Sequence, residues 1–126
     1  MSAVPEAVEL AILAAKAAVA KKALDPVAFD VSERLAITDI FLVLTATNER
    51  QVGAVVDGVE EALLKVGRRP ARREGDREKR WVLLDYVDVV VHVQHSEERT
   101  LYSLERLWKD CPPIELGELE PSGIGE

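Results

Sequence analysis

One cysteine, Cys111, stands alone among 126 residues, so no internal disulfide can form and nothing requires an oxidising compartment. A reducing cytoplasm is the expected setting. With no base partner or helix N-terminus beside it in sequence, Cys111 reads as a packing residue. Long apolar runs are also missing. Glu6, Glu9, Lys16, Lys21 and Lys22 interrupt the N-terminal stretch, which has no basic leader, so neither a signal peptide nor a membrane span is expected. The chain has no D-x-D pair and no Gly-Ser turn before a helix, the parts that nucleotidyl transfer needs to hold magnesium and cradle phosphate. It also lacks the H-E-x-x-H and H-x-x-x-H spacings that bring two imidazoles together on one helix face.

What is present suits a globular domain. A composition of 48% hydrophobic and 31% charged residues lies outside the disordered and membrane classes, and 126 residues suffice for one core. One domain over residues 1–113 is expected, followed by a flexible acidic tail, 114–126, whose breakers leave it little to pack. The net charge of -7 argues against non-specific nucleic-acid binding and for a basic partner. That charge is uneven: RRPARREGDREKR, residues 68–80, carries seven bases against three acids, a net +4 that leaves -11 for the remainder. Its acids dilute the field and it holds no aromatic for base stacking, so a solvated loop face is expected ahead of phosphate contact or a protein-binding strip.

Periodicity orders the rest. Residues 5–24 carry Val8, Ile12, Ala15 and Val19 at helical spacing in an alanine-rich background, with Pro5 at the start and Asp25-Pro26 as the stop. VAFDV (27–31) reads as a short strand and IFLVLTA (40–46) as a central one, apolar on both faces. Residues 47–67 form an amphipathic helix along Val52, Val55, Val56, Val59, Leu63 and Val66, capped by Asn48 with Gln51 reaching back, and ended by Gly67. Strand then helix implies a crossover unit. RWVLL and DVVVHVQ make a hairpin, because Asp85 to Asp88 leaves room only for a tight turn. After Ser96, an N-cap, a last helix places Leu101, Leu104, Leu107 and Trp108 on one face and ends at Cys111-Pro112-Pro113.

WVLLDYVDVVVHVQH, from Trp81 to His95, holds both histidines and two aspartates. Residues four apart on a strand lie about 13 Å from each other, so Asp88 and His92 cannot hold one ion, and His92 and His95 fall on opposite faces. No metal site is expected. Asp85 and Asp88 are read as turn aspartates bonded to their own backbone, with a metal-holding pair as the weaker alternative. His92, with no nucleophile to serve, is read as a satisfied or half-exposed strand histidine. Aromatics make up only 5% of the chain, and Trp81 has two readings of equal weight, a core residue or a surface anchor. Tyr86 and Tyr102 stay undecided.

ITDIFLVLTATNERQV, EGDREKRWVLLDYVDVVVHVQH and LYSLERLW, in this order and spacing, resemble the ribosome silencing factor, or Iojap-like, family from about Pro5 to about Pro113. The specific part is W-V-L-L-D-x-x-D-V-V-V-H-V. Departures are local: Val87 stands where the family often has Gly, Gln94 where a large apolar residue is common, and Ile40 where Tyr is usual. The resemblance implies an α/β fold, a mixed β-sheet flanked by helices and similar to the nucleotidyltransferase fold without its catalytic motif. It implies no enzyme activity and no cofactor. The implied partner is large ribosomal subunit protein fourteen, on a face whose occupation blocks joining of the small subunit and lowers translation when nutrients are short. The implied gripping residues are Trp81, Leu83, Leu84 and Asp85, supported by Asp88 and His92, with the last helix around Glu98 and Tyr102 as the next candidate surface. An open apolar surface makes a homodimer the expected free state. Neither a membrane nor nucleic acid beyond nearby ribosomal RNA is an expected partner. Two rivals stand beside this reading: a nucleotidyltransferase-like enzyme using Asp85 and Asp88, and a basic-loop factor for large-subunit assembly.

Overall fold

A computed structural model describes residues 3–101, 104–117 and 119. Its elements are α1 (Pro5–Ala20), β1 (Leu24–Asp30), β2 (Ile40–Ala46), α2 (Glu49–Leu64), β3 (Arg72–Glu74), β4 (Trp81–Asp85), β5 (Val89–His95), α3 (Ser96–Leu101) and α4 (Leu104–Leu107). The five strands form one mixed sheet in the order β1-β2-β5-β4-β3. Only β2 and β5 run parallel, as the crossover through α2 requires, and every other pairing is antiparallel. Thus β5, buried at all seven positions, is the central strand, and β2 lies one place out.

Both long helices cover one face of the sheet. The main core joins the α1 alanines and the α2 valines to Leu42, Leu44, Val82, Leu84, Val91 and Val93. In α1 the buried residues are Ala7, Leu10, Ala11, Ala14, Ala15 and Ala18, while Val8, Ile12 and Val19 stay half-exposed. The expected valine-isoleucine stripe is therefore rotated. Small residues bring the α1 backbone close to α2: a Cβ on Gly58 would lie 3.6 Å from the Ala17 carbonyl oxygen.

The ends of α2 follow its sequence. Asn48 Oδ1 accepts from the Gln51 N–H at 2.9 Å, and Gln51 Oε1 reaches back one residue further than expected, to the Thr47 N–H. Gly67 takes φ +80, and the Arg68 N–H donates to the Leu63 carbonyl, closing the last turn. Val66, assigned to the apolar stripe, is exposed.

Other expectations need correction. α1 stops at Ala20, and Asp25-Pro26 lies inside β1, at a register shift where Asp25 has φ 49. Such an irregularity tolerates a proline that a regular ladder would not. Part of the basic run is not loop: Arg72–Glu74 pairs with Leu83–Asp85 as an edge strand. In the last helix, described at Ser96–Leu101 (α3) and Leu104–Leu107 (α4), Leu104 is buried as expected but Leu107 is exposed. Tyr102, the Leu101 side chain, Glu118 and residues 120–126 lie outside what is described. Packing continues past residue 113. The Ile114 N–H donates to the Ala28 carbonyl, Pro113 bridges Phe29, and Leu116 is buried in the main core. That strip covers the open edge of β1.

A candidate partner-binding face

The sheet's other face is only partly covered. Phe29, Val31, Val43, Leu104 and Cys111 form a smaller cluster there, with Phe41, Trp81 and Trp108 packed against it. Among the described residues it shields the β1-β2 side and the Trp81 end of β4, and leaves the rest of the β5-β4 side open. Strand alternation decides who faces the opening. Along β4, Trp81, Leu83 and Asp85 are partly exposed, while Val82 and Leu84 are fully buried under the helices. Leu84, expected in the gripping set, is a core residue and cannot meet a partner.

A row of rings crosses the strands. The Trp81 Nε1–H donates to His92 Nδ1 at 3.1 Å, His92 meets Phe41 edge-on at 4.9 Å between centroids, and Phe41 meets Trp108 at 5.4 Å. His92 is only 5% exposed, and burial pushes its imidazole down to about 4 from an ordinary 6.5, so the ring is neutral at physiological pH. Trp81 is thus neither a core residue nor a bare anchor. Its edge is fixed by His92 and part of its ring is open.

Beside this row lies a cup of about 350 Å³. Leu35, Ile37 and Thr38 reach it from the loop between β1 and β2, and Phe41, Leu83, Val90 and His92 line it from the sheet. Asp85, Val87 and Arg72 close the turn end. Ile37 is 83% exposed and Val87 60%, so the lip is apolar and open to solvent.

The two aspartates have different roles. Asp85 Oδ1 accepts the Val87 N–H at 2.8 Å, the turn bond expected of it, and its Oδ2 lies 3.7 Å from Arg72 Nη2. Asp88 does not bond its own turn through its side chain. Its carboxylate pairs with Arg68 Nη2 at 2.8 Å, the same nitrogen that donates to the Tyr86 carbonyl, so it ties the hairpin to the end of α2. Tyr86 is a core residue, its phenol pushed up to about 12 by burial.

At the other end of β4, Arg80 holds three carboxylates: Glu49 at 3.0 Å, Glu97 at 2.7 Å and Glu98 at 2.9 Å. The Glu97 carboxyl is lowered by its bond to Arg80, and Glu49 by its own backbone N–H and by Arg80. One cation among three anions leaves an acidic rim next to Trp81. Glu98, expected as a second-choice contact, is part of that rim. Among the described residues no group of three or more His, Cys, Asp or Glu could hold a metal, and no helix is long and apolar enough to cross a membrane.

Sequence reasoning missed the cup because its walls come from separate segments. The available signal was Leu35 and Ile37, two large apolar residues in an otherwise polar connection.

Comparison with known proteins agrees with the motifs. Residues 4–124 match the family described as "Ribosomal silencing factor during starvation". The chain is 42% identical to the ribosomal silencing factor RsfS of Halalkalibacterium halodurans over 108 residues, covering 86% of this chain and 92% of that protein. It is 38% identical to RsfS of Bacillus subtilis over 104 residues, covering 82% and 88%. A crystal structure of a Chromobacterium violaceum protein superposes with a TM-score of 0.77 at 34% identity, covering 80% of this chain and 84% of that one. The chain belongs to the ribosomal silencing factor RsfS family.

Proposed function

We propose that this protein works in the cytoplasm as a steric repressor of translation: it binds the large ribosomal subunit through protein fourteen and keeps the small subunit from joining. The observation that carries this reading is the open β4-β5 face, where Leu83, Val90 and Asp85 line an apolar cup, Trp81 stands half-exposed on the same side of β4, and the carboxylates around Arg80 lie at the far end of that strand. Such a face has an apolar centre and a charged border, the anatomy of a protein interface. An acidic border on a chain of net charge -7 suits a basic ribosomal protein and discourages stray contact with RNA. Blocking requires occupancy only; no bond is made or broken and no cofactor takes part. Asp88 supports the face by fixing the hairpin, and His92 by fixing Trp81. In the free protein the same face would pair with a second copy.

Titration of the purified protein into isolated large-subunit protein fourteen tests the reading. A saturable one-to-one complex that Leu83→Asp abolishes is expected, because a carboxylate there would be desolvated without a partner. Absence of a complex, or a Leu83→Asp variant that folds and binds like the parent, contradicts it.

A further inference from the structure

The cup has a polar floor. The Trp81 indole N–H can only donate, so His92 Nδ1 is an acceptor, and the single proton of the neutral ring is on Nε2. Among the described residues that Nε2–H is buried with no hydrogen-bond partner, and so is Thr38 Oγ1; both residues line the cup, at 5% and 6% exposure. An unpartnered buried donor is costly, and a native fold retains one where something outside the chain completes it. Around these two atoms the walls are apolar, and at the lip Asp85 keeps a carboxylate oxygen 3.7 Å from Arg72, too far for a hydrogen bond.

We infer that the cup receives a single apolar side chain of a basic partner polypeptide together with its adjoining peptide carbonyl, which accepts from His92 Nε2–H while Asp85 faces a cation of the same segment. The volume suits one large side chain plus a peptide group. A cationic group would find no lone pair at His92, which offers a proton, and a bare hydrocarbon would leave that donor unsatisfied. Trp81 then acts as a positioning residue, since its N–H sets which imidazole nitrogen carries the proton. If the partner is protein fourteen, this inference rests on the function proposed above and names how that surface is read.

N-acetyl-leucinamide, a capped apolar residue, probes the cup without any partner. It is titrated into the ¹⁵N- and methyl-labelled full chain, following His92 Nε2–H and the Leu83 and Val90 methyl groups. A saturable shift is expected, at least tenfold weaker by the methyl signals in His92→Phe and weaker in Thr38→Val, a variant that keeps the shape of its side chain. Ile37→Asp, at an exposed position that cannot unfold the chain, should also weaken it. No saturable shift in the parent overturns the inference even if protein fourteen binds. Equal affinity in His92→Phe and Thr38→Val overturns it too. Saturation of the cup in a protein that fails to bind protein fourteen upholds the inference and removes the proposed function instead.

Discussion

A β-branched residue at φ 76 is strained, and Val87 holds that conformation at the tip of the β4–β5 turn. Glycine takes it freely. Val87→Gly should raise stability by about 1 kcal/mol, the strain relieved less the entropy of a freer unfolded chain, as read from the midpoint of a denaturant melt. His92 makes a second prediction. Its folded value, about 4, lies below the ordinary 6.5, so between these limits the unfolded chain binds a proton that the native one refuses. The stabilisation is complete above about pH 6.5 and is lost as pH falls toward 4, by roughly 3 kcal/mol at most. His92→Phe should flatten that part of the stability profile, and an unchanged profile would show that another group causes it. Trp81→Ala should destabilise by about 2 kcal/mol, less than for a fully buried tryptophan, because part of its ring is already open. At this scale the sequence could not decide between core and anchor for Trp81, since the deciding fact is a hydrogen bond to a residue eleven positions away.

Elements were more legible than their faces. The β4–β5 hairpin, the crossover through α2 and the Asn48 cap all follow from local chemistry, and all are present. α1 was rotated because hydrophobicity favours Val8 and Ile12, whereas close approach to α2 and the sheet selects alanine. Ala14→Leu, on the buried face, should therefore destabilise by roughly 1–3 kcal/mol despite its better hydrophobicity, whereas the same change on the half-exposed Ala17 should be near neutral. Comparing thermal melts of the two variants checks this. The basic run is largely exposed, as expected of a solvated face, but it is not all loop and not unpaired. Its charges are answered across the fold, Arg68 by Asp88, Arg73 by Glu60 and Arg80 by Glu49, Glu97 and Glu98, and pattern along the chain does not show such pairings. Arg72–Glu74 then forms an edge strand whose charged residues discourage further pairing. Gly75 makes its turn possible: φ is +81, and a Cβ would meet the Trp81 carbonyl oxygen at 2.1 Å.

For the whole molecule, the two sheet faces differ: α1 and α2 supply the main core on one, and part of the other stays open among the described residues. How much of that candidate face the sequence revealed follows from this division. Trp81, Leu83 and Asp85 were visible in one motif, Leu84 was wrongly grouped with them because a quoted string ignores alternation, and Leu35, Ile37 and Thr38 could not be joined to that motif because only folding brings them to β5. Net charge adds a further expectation. Since the face is acidic and apolar rather than basic, binding to the large subunit should weaken only modestly between low and physiological salt, unlike a phosphate-dominated contact. The most direct test of steric repression is light scattering from purified large and small subunits mixed with and without saturating protein. The protein added before mixing should abolish the rise that marks joining, and Leu83→Asp, with a parent-like melt, should restore it. Joining at the unperturbed rate and extent in the presence of saturating wild-type protein would contradict the account.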